Sequence, residues 1–93
     1  MLQVNEYFEG QAKSISFQTS TLPATVGVIS PGEYEFGTSK KETMTVISGA
    51  LTVLLPGMEE WMTYGAGESF DVAGQASFKA KTDIDTAYLC TYE

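Results

Sequence analysis

Short apolar stretches alternate with polar positions along the whole chain, and tight turns separate them. In the segment 86–92, the residues Tyr88, Cys90 and Tyr92 fall on one side of an extended strand, whereas Leu89 falls on the other. No segment keeps apolar residues at the i, i+3, i+4 and i+7 positions of a helix over about ten residues. This period of two predicts strands and no helix.

Turn signals divide the chain at Pro31-Gly32, Ser48-Gly49, Pro56-Gly57, Gly65-Ala66-Gly67 and Ala73-Gly74. Between them the β-branched and aromatic residues predict eight strands, over 24–29, 34–38, 43–47, 50–55, 61–64, 69–72, 77–81 and 86–92. Residues 1–12 are expected to form an arm or an edge strand. Leu51 to Leu55 is apolar on both faces, which is typical of a central strand. Many short strands without a helix indicate an all-β sandwich or barrel.

Composition and charge limit the classes of protein that fit this pattern. The chain has 93 residues, of which 43% are hydrophobic, and this length predicts a single domain over residues 1–93. It carries five lysines, no arginine and no histidine, and its net charge is −7. Because nucleic-acid binding depends on basic residues that neutralise phosphates, we expect no nucleic-acid partner. The lack of histidine also excludes histidine general bases and histidine-ligated metal sites.

Cysteine and hydropathy add two further expectations. Cys90 is the single thiol of the chain, which excludes an intramolecular disulfide and a cysteine-rich zinc site. The first residues lack a signal-peptide pattern, and no apolar run approaches the ~20 residues of a spanning helix. We therefore expect a cytoplasmic protein without a membrane contact.

Two stretches resemble the two sequence motifs of cupins in their spacing. The first is 31–49, which keeps Gly32, Glu42 and Gly49, and the second is 67–78, which keeps Gly67 and Gly74. The three histidine positions of the motifs are occupied instead by Phe36, Thr38 and Phe78. Only Glu42 remains of the four metal ligands, and one carboxylate cannot fill a transition-metal site. The resemblance implies an all-β, single-domain cupin (a double-stranded β-helix or jelly-roll barrel) with no metal or other cofactor.

Longer segments narrow the resemblance to one family. The opening Asn5-Glu6-Tyr7-Phe8 and the segments 42–56 and 88–92 are similar to the pyrimidine/purine nucleoside phosphorylase family of small cupins. The resemblance implies a pentosyltransferase of broad specificity. A purine or pyrimidine nucleoside and inorganic phosphate would give the free base and pentose 1-phosphate. The resemblance also implies a homodimer.

Six residues are candidates for this chemistry. We predict that Glu42 is catalytic, either through hydrogen bonds to the ribose or as a proton donor to the base. Thr38 and Lys40 are predicted to hold phosphate, because a chain without arginine or histidine must use lysine, hydroxyl and backbone donors. The base pocket is predicted to be lined by aromatic rings that stack any base, namely Phe36, Phe78 and Tyr88.

Each candidate also has a purely structural interpretation. Glu42 fits a buried carboxyl bound to backbone or threonine donors, the lysines fit a solvated surface, and the aromatic rings fit core packing. Other possible phosphate donors are Lys41, Lys79, Lys81 and a backbone nest near Gly37 or Gly74. Trp61 is interpreted as a dimer contact. Two other functions stay open: a metal-free cupin that binds a small ligand without catalysis, and a metal-dependent cupin of the dioxygenase type.

Overall fold

Ten strands and one short 3-10 turn make up the computed structural model, which describes residues 2–93. The turn covers Phe8–Gly10, and no α-helix occurs within residues 2–93. In chain order the strands are β1 (Gln3–Tyr7), β2 (Ala12–Gln18), β3 (Pro23–Ile29), β4 (Gly32–Thr38), β5 (Glu42–Ser48), β6 (Ala50–Leu54), β7 (Met62–Gly65), β8 (Ser69–Val72), β9 (Ala76–Thr82) and β10 (Thr86–Tyr92).

The strands form two antiparallel sheets. The larger sheet has six strands in the order β1-β2-β3-β10-β5-β8, and the smaller one has four in the order β4-β9-β6-β7. The two sheets face each other but are not closed into one hydrogen-bonded barrel. The all-β prediction is therefore confirmed, with two facing sheets in place of a continuous barrel.

The core lies between the inner faces of the two sheets, where alternate residues of each strand point. Aromatic rings join the sheets: Phe70 of β8 lies 6.4 Å from Phe78 of β9 and 4.7 Å from Tyr64 of β7, measured between ring centroids. The largest fully buried apolar side chains are Ile29, Leu51, Val46, Val53 and Val72. Burial of each such side chain stabilises the fold by about 1.5–3 kcal/mol.

The eight predicted strands are confirmed, each with bounds shifted by two residues at most. The predicted arm contains β1, an edge strand, and leads into β2, which the sequence did not predict as a strand. Strand β2 turns the small side chains of Ala12 and Ser14 to the core and leaves Ile15 and Phe17 partly exposed. The large apolar side chains of β2 therefore point away from the core, and for this reason hydropathy did not reveal the strand. No helix within residues 2–93 has the length and apolar character needed to cross a membrane.

Candidate functional site

A cavity of about 190 Å³ opens on the inner face of the six-stranded sheet. Strand alternation places its walls: in neighbouring strands, Thr25 pairs with Cys90, Cys90 pairs with Met44, and Tyr92 pairs with Glu42. Because these strands are adjacent, their inward side chains form one continuous surface. The lining residues are Tyr7, Phe8, Ser14, Thr25, Glu35, Phe36, Gly37, Glu42, Met44, Tyr88, Cys90 and Tyr92.

Glu42 supplies the half-buried carboxyl of this cavity, at the first position of β5. The Cys90 thiol donates a hydrogen bond to Oε1 of Glu42 over 3.2 Å, and the two residues are 48 positions apart in the chain. Burial raises the pKa of the Glu42 carboxyl, and the hydrogen bond from Cys90 opposes part of that rise. The carboxyl therefore keeps its proton to a higher pH than an exposed glutamate does.

Hydroxyl and thiol groups surround this carboxyl. The hydroxyls of Tyr92 and Thr25 are hydrogen-bonded over 3.0 Å, and the Cys90 thiol contacts both Tyr92 and Glu42. Burial raises the pKa of Tyr88 to about 12, and it also raises the pKa values of Cys90 and Tyr92. At neutral pH the three groups of β10 thus remain protonated, and the proton of Cys90 is already donated to Glu42.

The ring of Tyr88 occupies the space in which any residue other than glycine on the neighbouring strand would place its Cβ atom. Gly27 of β3 pairs with Tyr88, and a Cβ atom at Gly27 would lie 2.6 Å from Cζ and from the hydroxyl oxygen of that ring. Such a distance is shorter than a van der Waals contact, so the Cβ atom and the ring would clash. Gly27 therefore allows Tyr88 to lie against the sheet, and this position leaves the cavity open.

The rim of the cavity carries two partly exposed rings, Tyr7 and Phe8, at the end of β1. Phe8 and Glu9 both have positive φ angles, 54° and 57°, which non-glycine residues adopt only when the surroundings hold them. The Phe8 ring packs 4.9 Å from Tyr34 and 5.4 Å from Phe36, between ring centroids. These contacts hold the turn in place at the rim.

Three of the six predicted site residues line this cavity: Glu42, Phe36 and Tyr88. Phe78 is buried behind Phe36, with the two rings stacked at 5.5 Å, and contributes to the core. Thr38 is also buried, and its hydroxyl donates to the carbonyl of Ala73. Lys40 is exposed, in the loop that connects β4 to β5.

Several lining residues were not predicted to be part of the site. The alternation in β10 already placed Tyr92 and Cys90 on the same face as Tyr88, and that signal could have identified both. Ser14 and Thr25 carried no such signal, because their strands reach the cavity only through the pairing order of the sheet. Tyr7 and Phe8 likewise depend on the left-handed turn after β1.

The residues at the motif positions of cupins do not fit a metal ion. Phe36 and Phe78 offer no ligand atoms, and the Thr38 hydroxyl is bound to the backbone of the β8–β9 loop and of β9. In the part of the chain that the structure describes, no cluster of three or more histidine, cysteine, aspartate or glutamate side chains could hold a metal. Of the four motif positions, Glu42 is the one that carries a carboxylate, and a transition-metal site needs several protein ligands.

Comparisons with known proteins agree on one family. The family model described as pyrimidine/purine nucleoside phosphorylase matches residues 2–92. A curated protein of that name from Marinobacter nauticus is 79% identical over 92 residues, which cover 99% of each chain. A crystal structure of a Vibrio parahaemolyticus protein of unknown function superposes with a TM-score of 0.95 at 47% identity, covering 100% of this chain and 99% of that one. An RmlC-like cupin from Shewanella frigidimarina, at 19% identity, has a TM-score of 0.77 over 99% of this chain and 83% of its own, which shows the cupin fold alone.

Proposed function

This chain belongs to the pyrimidine/purine nucleoside phosphorylase family, and from that premise we propose that it is a pentosyltransferase that cleaves nucleosides with inorganic phosphate. In this reaction the bond between C1′ and the base nitrogen breaks, and a phosphate oxygen bonds to C1′. The base leaves with the electron pair of the broken bond and takes up the proton that hydrogen phosphate gives up. Purine and pyrimidine nucleosides are both proposed as substrates.

The observation that supports this proposal best is the position of Glu42. Its carboxyl is half-buried among hydroxyl groups, and burial raises its pKa. A protonated carboxyl can give its proton to the departing base and recover one from hydrogen phosphate, or it can bind the ribose hydroxyls while positive charge develops on the sugar. Phe36 and Tyr88, which line the same cavity, are proposed to contact the substrate.

A cationic donor for phosphate has to come from outside the cavity lining, because no lysine is among the described residues that line it. The β4–β5 loop, residues 39–41, connects Gly37 and Glu42, both of which do line the cavity. Lys40 lies in this loop, and Thr38 precedes it. We propose that Lys40 and backbone N–H groups of this loop hold phosphate, and that Thr38 positions the loop through its bonds to Ala73 and Ala76.

The test is phosphate-dependent release of free base. Purified protein is incubated with a panel of purine and pyrimidine nucleosides, with and without inorganic phosphate, and free base is measured by chromatography. We expect release only with phosphate. Glu42→Gln should lower turnover by about 100-fold or more, the usual effect of losing a general acid. Glu33→Gln is the matched control, because Glu33 is exposed and is not among the residues that line the cavity.

A second candidate function follows from the acidic lining. The cavity holds two carboxyls, Glu35 and Glu42, and no lysine, which favours a neutral ligand over a phosphate anion. A metal-free cupin that binds a small organic ligand without catalysis would have such a cavity. Failure to release base from every nucleoside, with protein shown to be folded by circular dichroism, would favour this alternative.

We also propose that two copies of the chain associate through the outer face of the six-stranded sheet. Val4, Ile15 and Val26 lie side by side across β1, β2 and β3, and they are 64%, 42% and 41% exposed. Phe17 and Val28 extend this apolar face. The molecule measures 38 × 25 × 24 Å, so this face has room for the about 800 Å² per partner that a standard interface buries. Trp61 lies beside the four-stranded sheet, where Nζ of Lys81 is 4.2 Å from the centroid of its ring.

Light scattering after size-exclusion chromatography tests this interface. We expect a dimer for the wild type, a monomer for Val26→Asp, and a dimer for Trp61→Ala. A monomeric wild type would refute the homodimer, and a monomer from Trp61→Ala alone would move the interface to the four-stranded sheet. The cytoplasmic location predicted from the sequence stays a prediction.

A further inference from the structure

The cavity is too small for a whole nucleoside together with phosphate. Its volume is about 190 Å³, whereas sites that enclose most of a drug-sized ligand measure about 300–1,000 Å³. A cavity of about 150 Å³ encloses one benzene molecule. The space between the sheets therefore takes about one ring of a nucleoside, and the other ring has to stay at the rim.

The inner wall has the chemistry of a sugar site. Ser14, Thr25, Tyr88 and Cys90 are all buried, and each presents a hydroxyl or thiol to the cavity. These groups both donate and accept hydrogen bonds, as the hydroxyls of a pentose do. The Glu42 carboxyl beside them can accept bonds from two adjacent sugar hydroxyls. Within residues 2–93, the lining contains no amide side chain that would match the donor and acceptor edge of a base.

The rim has the chemistry of a stacking surface. Tyr7 and Phe8 are 47% and 40% exposed, and both line the opening. The backbone of Phe8 is left-handed, and its ring is held at the rim by contacts to Tyr34 and Phe36. Aromatic rings stack on purines and pyrimidines alike and do not read the edge of the base.

From this arrangement we infer that the pentose of the substrate enters the cavity, and that the base stays at the rim against Tyr7 and Phe8. The inference rests on the proposed nucleoside chemistry. It places C1′ at the boundary between cavity and rim, where the base leaves toward solvent. It also gives a physical reason for broad base tolerance, because the base meets only ring faces.

Binding without turnover tests the inference. Nitrogen-15 labelled protein is titrated with D-ribose alone and with adenine alone, in the absence of phosphate, and amide shifts are followed. D-Ribose should shift the amides of Ser14, Thr25 and Cys90, whereas adenine should shift those of Tyr7 and Phe8. Phe8→Ala should weaken adenine binding by about 10-fold, the lower end of the effect of a lost stacking ring, and leave D-ribose binding unchanged. Thr25→Val should do the reverse, and Trp61→Ala should change neither.

Several results would overturn the inference. One is that adenine shifts the amide signals of the inner wall. Another is that Phe8→Ala loses D-ribose binding as strongly as adenine binding. A third is that neither compound binds at tens of millimolar. The outcomes also distinguish a failure of this inference from a failure of the proposed function. Base release together with adenine inside the cavity would refute the sugar site and keep the phosphorylase. D-Ribose inside the cavity without any base release would keep the sugar site and refute the phosphorylase.

Discussion

The contact between Gly27 and Tyr88 leads to a quantitative prediction for Gly27→Ala. The added Cβ would lie 2.6 Å from Cζ and the hydroxyl oxygen of Tyr88 and 2.9 Å from Cε1, whereas ordinary contacts begin near 3.4 Å. The ring must therefore retreat by about 1 Å, and the cavity is the open space beside it. Overpacking of this kind costs about 1–3 kcal/mol, which for a domain of this size lowers Tm by roughly 10 °C.

Thermal and urea unfolding of four proteins would measure this cost. They are the wild type, Gly27→Ala, Tyr88→Leu and the double variant, which together form a double-mutant cycle. In the Tyr88→Leu background the ring is gone, so Gly27→Ala should be neutral or should stabilise by about 0.5–1 kcal/mol, as alanine does over glycine in a strand. Gly37→Ala is the matched control, because Gly37 has no atom within 4 Å of its added Cβ.

The same substitution should also affect ligand binding, because the displaced Tyr88 ring moves into the cavity. We expect Gly27→Ala to weaken D-ribose binding, and Gly37→Ala to preserve the stability of the protein. An equal loss of stability from Gly27→Ala with and without the Tyr88 ring would refute the steric explanation. So would a loss of similar size from Gly37→Ala.

Three further predictions concern hydrogen-bonded groups. Burial raises the pKa of Glu42 in the folded state above its unfolded-state value of about 4.5. The stability that this shift gives the folded protein is therefore complete below the unfolded-state pKa, and it is lost as pH rises through the folded-state pKa. The Tm of Glu42→Gln relative to wild type should therefore increase from pH 4 to pH 7 in thermal melts. Cys90→Ala should raise the pKa of Glu42 further and move the pH profile of base release upward, whereas Cys90→Ser should keep a donor and restore the profile. Thr38→Val should cost about 1–3 kcal/mol in urea unfolding, because it removes the hydrogen bonds that the buried Thr38 hydroxyl makes to the backbone of Ala73 and Ala76.

Each of these predictions has an outcome that contradicts it. A Tm difference for Glu42→Gln that is constant with pH would mean that the carboxyl titrates alike in the folded and unfolded states. Cys90 donates a hydrogen bond to Glu42, and Tyr88 and Tyr92 lie near enough for the carboxylate charge to affect them. An unchanged pH profile for Cys90→Ala would show that the thiol does not tune the carboxyl. For Thr38, the control is Thr43→Val, whose hydroxyl bonds to Asp71 at the surface, and an equal cost in both variants would refute the argument from burial.

Strand identity in this protein could be predicted from the sequence because it is a local property. Alternating apolar residues in β4 and β10 specify which side chains turn inward, and glycine and proline mark the turns. The alternation in β10 placed Tyr88 on one face with Cys90 and Tyr92, and the spacing of the cupin motif identified Phe36 and Glu42. These features depend on neighbours within a few residues, which the sequence displays directly.

The cavity itself depends on contacts between residues that are far apart in the chain. Cys90 reaches Glu42 across 48 positions, and Tyr92 bonds to Thr25 across 67. The pairing order of the strands decides these contacts, and it also gives β2 a small-residue inner face that hydropathy could not reveal. Likewise, the ring of Phe8 in the left-handed turn packs against Tyr34 and Phe36, which are more than 20 residues away in the chain. The sequence by itself thus determined most of the strands and the identity of the central acid. The tertiary structure alone decided which groups surround that acid, because side chains distant in sequence meet only when the sheets assemble.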